Sequence, residues 1–187
     1  MHLKKYVSAY QPVNAQEAMD QENMLHYLDT FDDLLFRTNI FGHFSSSGFI
    51  TNKTHDKILL IHHNIYKSWG WTGGHMDGDD DFVAVALKEA QEETGISDFS
   101  FVTTDIASLD ILEVPGHFKN GKYVSAHVHL SLAYLLEADE NDAVFVKEDE
   151  NSGVAWFPIN EVLDVCTEEH MKTVYQKLLD KLKQFEK

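Results

Sequence analysis

The sequence contains a single cysteine, Cys166, so it cannot form a disulfide bond within the chain. It also lacks any run of about 20 apolar residues, the length that a membrane-spanning helix requires. The first residues, MHLKKYVSAYQPV, lack the apolar stretch of a secretory signal. These absences favour a protein of the cytoplasm that does not enter a membrane.

Positive charge is scarce, because 15 lysines and arginines face 31 aspartates and glutamates, for a formal net charge of −16. Such a chain argues against nucleic acid or an anionic membrane as the main partner, since both are themselves negative. A small anionic substrate would need a cation to bring it in. The length of 187 residues and the hydrophobic content of 43% are typical of one soluble domain with a real core.

The most informative stretch, residues 74–96, reads GHMDGDDDFVAVALKEAQEETGI. The glycine pair at 73–74 allows a sharp turn and a close approach of the backbone to a ligand. Three aspartates at 79–81 suit a helix N-terminus, where short acidic side chains cap free N–H groups. The helix is predicted to continue to about Thr94 and to stop at Gly95.

Two stripes are predicted on this helix. The apolar stripe, which should face the core, contains Val83, Ala86, Leu87, Ala90 and Thr94. Glu89, Glu92 and Glu93 fall together on another stripe, because residues three and four apart are neighbours on a helix. Carboxylate oxygens that close together are suited to Mg²⁺. A solvent-exposed acidic face is the alternative interpretation.

The spacing resembles the box of the Nudix hydrolase family, G-x5-E-x7-R-E-U-x-E-E-x-G-U, where U is a bulky aliphatic residue. The matching positions are Gly74, Glu89, Glu92, Glu93, Gly95 and Ile96. The departures are Asp80, Lys88 and Ala90. The resemblance implies an α/β/α sandwich with a mixed β-sheet. It also implies hydrolysis of a nucleoside diphosphate linked to another moiety, so a small nucleotide is the expected substrate.

The resemblance also implies roles for individual residues. Glu89, Glu92 and Glu93, with Gly74, would hold Mg²⁺, for which Mn²⁺ could substitute. A metal ion polarises phosphoryl oxygens and lowers the pKa of bound water, so activity should require the metal and rise toward alkaline pH. Glu92 and Glu150 are both candidates for the general base, and the sequence does not choose between them. Lys88 would hold the glutamates in place or meet charge on the phosphate.

Other residues are candidates for substrate binding. His127 and His129 lie two apart in a predicted strand and should therefore point to the same face. Contacts to phosphate or ribose are favoured over a transition-metal site, which needs a third ligand that the sequence does not identify; hydrogen-bonded structural histidines remain an alternative. Tyr66 and Trp71 could stack on a base, or belong to the core or its rim.

The remaining pattern predicts a single domain over residues 1–187. It comprises a helical N-terminal extension at about 1–40, a core at about 41–166 and a C-terminal helix at about 167–187, whose apolar stripe could also support a homodimer. The predicted elements outside the box are an arm or short strand at 1–13, helices at 14–37, 161–165 and from 168 onward, and strands at 43–51, 57–62, 98–113 (broken near 103–106), 112–119, 122–136, 143–147 and 154–157. A hairpin turn is predicted at Asn120–Gly121.

Two rival functions follow from the same resemblance. A catalytically silent nucleotide-binding domain is compatible with the departures at Asp80 and Lys88, although the intact Glu89, Glu92 and Glu93 set argues against it. An isopentenyl diphosphate isomerase would need a cysteine early in the site, whereas Cys166 lies in the C-terminal part. Activity that depends on added Mg²⁺ separates an enzyme from a binding domain.

Overall fold

The computed structural model describes residues 2–119 and 121–185. Its α-helices are α1 (His2–Ala9), α2 (Ala15–Thr30), α3 (Phe82–Thr94), α4 (Val162–Val165) and α5 (Glu169–Leu182). Its strands are β1 (Gly42–Asn52), β2 (Lys57–His63), β3 (Trp69–Gly70), β4 (Thr72–His75), β5 (Ser100–Val114), β6 (His117–Lys119), β7 (Lys122–Val124), β8 (His127–Ala138) and β9 (Asn151–Pro158). Within this part of the chain, no helix is long and apolar enough to cross a membrane.

Seven of the strands form one mixed sheet. Its main path is β3-β2-β1-β8-β5, with β4 paired to β1 and β9 paired to β2. The β1–β8 pair is parallel from Gly42 to Asn52, and the other pairs in this sheet are antiparallel. β6 and β7 form a separate two-stranded ribbon. The predicted mixed α/β fold is therefore confirmed.

Strand β1 is buried along its whole length and supplies side chains to both faces of the sheet. Phe44 packs in the cluster that contains Phe82 of α3 and Met24 of α2. Phe49, whose side chain points the other way, stacks on Tyr175 of α5 with ring centroids 5.7 Å apart. The two helical layers on opposite faces of the sheet give the predicted sandwich.

Helix α3 begins and ends where the sequence predicts. The Asp81 side chain caps it by accepting a hydrogen bond from the Ala84 N–H at 3.0 Å, and Gly95 ends it in the left-handed region with φ of 77°. The predicted core face is displaced, because the buried apolar residues are Phe82, Val85, Ala86 and Ala90. Glu93 lies on this buried face instead of sharing a solvated stripe with Glu92.

Three predictions for the helices and loops were wrong. Residues 1–13 contain α1 in place of an arm or strand, because Leu3, Tyr6 and Val7 recur at helical spacing and pack on the core. Helix α2 ends at Thr30, because Phe31 is extended and Leu34 accepts a 2.7 Å hydrogen bond from Phe44 N. Residues 143–147 form no strand.

The segment 143–147 is held in another way. The Phe145 N–H donates one backbone hydrogen bond to the Thr94 carbonyl, at 2.7 Å, which ties it to the end of α3. Farther along the sheet, the predicted break near 103–106 appears as a register shift between Thr103 and Ser108. Strand β5 ends at Val114, just before Pro115, which lacks a backbone N–H.

The predicted hairpin is present, but its two strands are shorter than the sequence predicts. Strands β6 and β7 pair through Phe118 and Tyr123. Position 120 of the predicted Asn120–Gly121 turn lies outside the described residues, while Gly121 has a φ of 75°. The two longer strands predicted here are therefore divided between the main sheet and this ribbon.

Candidate functional site

The glycine pair lets β4 lie tightly between β1 and α3. A Cβ atom added at Gly74 would lie 2.3 Å from Cδ of Glu89, and one added at Gly73 would lie 2.5 Å from Oγ of Ser47. Both distances are far below van der Waals contact, so no larger residue fits without displacing these side chains. The Glu89 carboxyl group therefore rests directly on the backbone of the box.

Glu93 is the buried acid of the site. Glu93 is only 3% exposed, and its Oε2 accepts a 2.9 Å hydrogen bond from the Gly73 N–H. Burial raises the pKa of Glu93 to about 8; the Gly73 hydrogen bond opposes this, while the charges of Glu150 and Glu89 add to it. The pKa of Glu89 is also raised, by burial first and then by Glu92.

Glu92 lies on the outer side of the same helix, next to two lysines. Its carboxylate is 3.7 Å from Lys88 Nζ and 3.2 Å from Lys147 Nζ, and Lys147 is also 3.1 Å from Glu150. Burial alone would lower the pKa of Lys147, but its hydrogen bonds to Glu150 and Glu92 outweigh that effect and raise the pKa. Lys147 therefore links the two candidate general bases.

The donor set fits a hard divalent cation. Burial raises the pKa values of Glu89 and Glu93, and the nearby lysines do not offset this effect. The Gly74 backbone leaves room only for the Glu89 carboxyl group. Oxygen ligands of this kind suit Mg²⁺ or Mn²⁺, and Glu89, Glu92 and Glu93 are the residues that would hold the ion.

A cavity of about 800 Å³ opens beside the box, within the usual size range for small-molecule sites. Its wall includes Glu93 and the backbone of Gly73 and Gly74, so the carboxylates and the cavity adjoin. The wall also includes all four side chains predicted to bind substrate: His127, His129, Tyr66 and Trp71. We call this cavity the cleft.

The two aromatic candidates are anchored in different ways. Trp71 packs edge-on against Tyr175, with ring centroids 5.6 Å apart, and its backbone N–H donates to the Tyr175 hydroxyl at 3.1 Å. Tyr66 lies against His63, at 4.6 Å between ring centroids. Trp71 is thus fixed by α5, while Tyr66 belongs to the loop between β2 and β3.

Lys88 and Glu150 lie at the outer side of the box. The Lys88 side chain is 65% exposed and contacts Glu92, four residues farther along α3. Glu150 is 38% exposed and contacts Lys147. Their catalytic roles remain predictions, and the choice between Glu92 and Glu150 as general base remains open.

Sequence reasoning missed several residues of the cleft. His43 on β1 is the direct parallel partner of His129, and His75 on β4 pairs with Ser45, two residues beyond His43. Arg37 lies in the cleft wall and its Nε donates a 2.7 Å hydrogen bond to Asp77. The histidines come from strands far apart in sequence, so only the register of the sheet brings them together.

Cys166, the single cysteine of the chain, is buried and free. It is 1% exposed and lies in the cluster formed with α4 and α5. Its thiol lies 3.8 Å from the Ser68 hydroxyl, and burial is the main cause of its raised pKa. A buried thiol in the C-terminal core does not supply the early-site cysteine that an isomerase would need.

Comparison with known proteins points to one family. The model of the NUDIX domain matches residues 43–178. Over 88 residues the chain is 28% identical to a probable DHNTP pyrophosphohydrolase of Lactococcus lactis subsp. cremoris, an alignment that covers 47% of this chain and about half (51%) of that protein. Over 133 residues it is 28% identical to the asymmetrical bis(5'-nucleosyl)-tetraphosphatase of Rattus norvegicus, covering 68% and 80% of the two chains.

Solved structures share the fold at low sequence identity. An Ap4A hydrolase of C. elegans, in a binary complex, superposes with a TM-score of 0.54 at 18% identity, covering 78% of this chain and 97% of the other. The Nudix hydrolase RenU of M. smegmatis superposes with a TM-score of 0.57 at 15% identity, covering 77% and 88%. At these identities the likeness concerns the fold alone.

Proposed function

The chain belongs to the Nudix family, whose domain model matches residues 43–178, and on this premise we propose that it hydrolyses a pyrophosphate bond in a nucleoside diphosphate linked to another moiety. The predicted family is thereby confirmed. The predicted hydrolase class agrees with the names of both curated relatives, a pyrophosphohydrolase and a tetraphosphatase.

One observation carries the proposal: a buried carboxylate meets a ligand-sized cleft at the box. Glu93 is 3% exposed, accepts a hydrogen bond from Gly73 and lines the cleft of about 800 Å³. A buried acid with a raised pKa in a cleft is a frequent feature of functional sites. Its position beside Glu89 and the Gly74 backbone supports a cation site at the edge of the cleft.

Metal binding and proton transfer would be carried out by carboxylates of the box and its surroundings. Glu89, Glu92 and Glu93 would hold Mg²⁺, which when bound neutralises phosphate charge and lowers the pKa of water. Glu92 or Glu150 accepts the proton of the attacking water, and Lys147 keeps these two carboxylates close to each other.

The cleft wall would select the nucleotide. Tyr66 and Trp71 offer ring faces to a base, and His127 and His129 form the wall that we propose faces the phosphates or ribose. Arg37 contributes a guanidinium group to the same wall, where it is paired with Asp77. This division places recognition in the cleft and hydrolysis at its carboxylate edge.

The names of the relatives set the first substrates to test. We would assay diadenosine tetraphosphate, dihydroneopterin triphosphate, ADP-ribose, a nucleotide sugar and nucleoside triphosphates, measuring released phosphate and nucleotide products by chromatography. At least one should be cleaved with added Mg²⁺ and should resist cleavage after chelation. Glu93→Gln should abolish most of this turnover, whereas Glu22→Gln, an exposed acid on α2, should not.

Two outcomes would contradict the proposal. Undiminished activity after exhaustive chelation would remove the cation from the mechanism. Tight binding of a nucleotide without turnover at any Mg²⁺ or Mn²⁺ concentration would instead identify a catalytically silent binding domain.

A further inference from the structure

Three histidines from three strands converge on one wall of the cleft. His43 and His129 are opposite each other in the parallel β1–β8 pair, and β4 places His75 opposite Ser45. His43 and Ser45 point to the same face of the sheet because they are two residues apart. The ring centroids of the three imidazoles are 4.9 to 5.1 Å apart in every pair.

The three histidines also bring ring nitrogen atoms close together. One ligand atom from each histidine lies within 4.8 Å of the other two. Nε2 of His75 is 3.2 Å from Nε2 of His129. This contact is a hydrogen bond between the two rings. Two nitrogens bound to one tetrahedral zinc ion at the usual bond length are about 3.3 Å apart, so an ion could replace the shared proton with little movement of this pair.

His43 is oriented as a ligand by its surroundings. Its Nδ1 lies 3.2 Å from the Asn39 carbonyl oxygen, which can only accept, so Nδ1 carries the proton and Nε2 carries a lone pair. His43 is 4% exposed, and its Nε2 has no hydrogen-bond partner among the residues that the structure describes. A carbonyl behind the ring is the usual support of a metal-binding histidine.

The Asn39 carbonyl is itself held in place. The Asn39 side chain donates to Asp33 at 2.7 Å and accepts from the N–H groups of Phe41 and Gly42, at 3.1 and 3.3 Å. Asn39 is 4% exposed. The loop before β1 is thus built around the group that fixes the His43 tautomer.

We propose that His43, His75 and His129 bind one transition-metal ion, with a coordination position open toward the cleft. Three imidazoles suit Zn²⁺, Cu²⁺, Ni²⁺ or Fe²⁺ and are poor ligands for Mg²⁺. Three protein ligands with an open fourth position form the arrangement of zinc sites that also bind water or a substrate group. The phosphate or ribose contacts predicted for His127 and His129 from the sequence stay a prediction, and the open position of the ion faces the same cleft.

Burial favours the neutral form of His43 and His129 by lowering their pKa values, and the neutral imidazole is the form that donates a lone pair. Burial lowers the pKa of His129 well below its usual range, and the neighbouring His75, His43 and His127 lower it further. A cluster of neutral imidazoles attracts an anion weakly. It binds a cation well, and in a chain with a net charge of −16 a bound cation would also be favoured by the field of the whole protein.

His127 stands beside the three proposed ligands. Its ring centroid is 4.9 Å from that of His43, and its Nδ1 donates to the Ser125 carbonyl at 2.9 Å. The same argument as for His43 leaves a lone pair on its Nε2. His127 is placed to orient a water or a substrate group at the open position.

The test is metal binding by the full-length chain, with no activity measurement. Protein stripped of metal by chelation is titrated with Zn²⁺ by calorimetry, and with Co²⁺ by visible absorption, which is intense for tetrahedral cobalt. Glu89→Gln/Glu93→Gln removes the carboxylate site, so its remaining Zn²⁺ stoichiometry reports the histidines. That variant should still bind one Zn²⁺ and develop the cobalt bands.

Substitution of the histidines should have the opposite effect. In that carboxylate-free background, His75→Gln or His129→Gln should weaken Zn²⁺ binding by at least about 100-fold, since even supporting groups contribute 10–100-fold. His26→Gln, an exposed histidine on α2, should change nothing. His75 is only partly buried, so His75→Gln keeps the test valid if His129→Gln fails to fold, which circular dichroism would show.

Two results would overturn the proposal. One is a carboxylate-free variant that binds no Zn²⁺ and shows no cobalt bands. The other is unchanged Zn²⁺ affinity in folded His75→Gln protein. Pyrophosphate hydrolysis with Mg²⁺ is measured separately on the wild-type protein and does not depend on either result, so failure here is distinguishable from failure of the proposed function, on which this inference does not rest.

Discussion

At the scale of single residues, Glu93 shows how burial turns a predicted ligand into a group with an unusual pKa. Its carboxyl group is buried, accepts one hydrogen bond from Gly73 and is repelled by the charges of Glu150 and Glu89. Without a cation, the charged form is unfavourable. Glu93, which we propose helps to hold a metal, should therefore destabilise the metal-free protein when it is charged.

Glu93→Gln should lower turnover by at least about 100-fold, equivalent to ~2.7 kcal/mol of transition-state stabilisation, and should stabilise the metal-free protein at alkaline pH. The pKa of about 8 in the folded state exceeds the ordinary 4.5, so the folded chain binds more protons than the unfolded chain between these values. The resulting stabilisation is complete below about pH 4.5 and is lost as the pH rises through 8.

The measurement is thermal melting in a metal chelator at several pH values from 5 to 9. The melting temperature of the wild type should fall over this interval, and that of Glu93→Gln should fall less. Parallel curves for the two proteins would show that Glu93 keeps an ordinary pKa. Turnover equal to that of the wild type would exclude Glu93 from the active site.

Sequence reasoning at this scale succeeded where one helix decides the geometry. The spacing of Glu89, Glu92 and Glu93 on α3 was predictable, because helical neighbours are set by sequence alone. The burial of Glu93 was not, since it depends on how α3 packs on β4. Lys147, His43 and His75 were missed because contacts between segments far apart in sequence place them at the site.

At the scale of elements, only one of the three aspartates before α3, Asp81, caps the helix. The Asp81 carboxylate accepts from the Ala84 N–H at 3.0 Å, while Asp79 accepts from the Asp81 N–H at 2.9 Å. Asp80, the residue at the first glutamate position of the box, is exposed. The run of three aspartates therefore contains residues with different structural contributions.

Asp81→Ala should lower the free energy of unfolding by about 1 kcal/mol, the usual cost of losing an N-cap side chain. Asp80→Ala provides the matched control and should stay within about 0.5 kcal/mol of the wild type, as most surface substitutions do. Urea denaturation followed by circular dichroism measures both. Equal losses in the two variants would show that the cap is not specific to Asp81.

The elements themselves were predictable to different degrees. The β1–β2 hairpin, α3 and α5 follow from strong local patterns, and the structure has them close to the predicted bounds. The segment at 143–147 looked like a strand, but its backbone is bonded to the end of α3 through Phe145 and to the following turn through Lys147, and it pairs with none of the described strands. Strand formation needs a partner, which a local pattern does not reveal.

At the scale of the whole molecule, the N-terminal helices are joined to the core by buried charges. Lys177 of α5 contacts Glu17 of α2 at 3.0 Å and also Asp110 of β5, and all three side chains are at most 8% exposed. Tyr10, beyond α1, donates to Glu17 at 2.7 Å. We propose on this basis that residues 1–187 form a single domain, in which the segment before β1 is part of the fold.

Lys177→Met should destabilise the protein by ~3–5 kcal/mol, because it leaves two buried carboxylates without their cation. Burial already raises the pKa of Asp110 despite Lys177, so loss of the lysine would remove its main compensation. Lys172→Met on the same helix is the control; its side chain is 32% exposed and pairs with a largely exposed Glu169, so it should cost less than about 1 kcal/mol.

The same network supplies a rescue experiment that separates charge from packing. Replacing all three members, as Glu17→Gln/Asp110→Asn/Lys177→Met, removes every buried charge of the group and should recover a large part of the stability lost in Lys177→Met. Urea denaturation of the single and triple variants gives the two free energies of unfolding. If Lys177→Met costs no more than Lys172→Met, the buried charges do not join the N-terminal helices to the core. If the single variant is unstable and the triple variant recovers nothing, the loss comes from the packing of the lysine side chain and not from its charge.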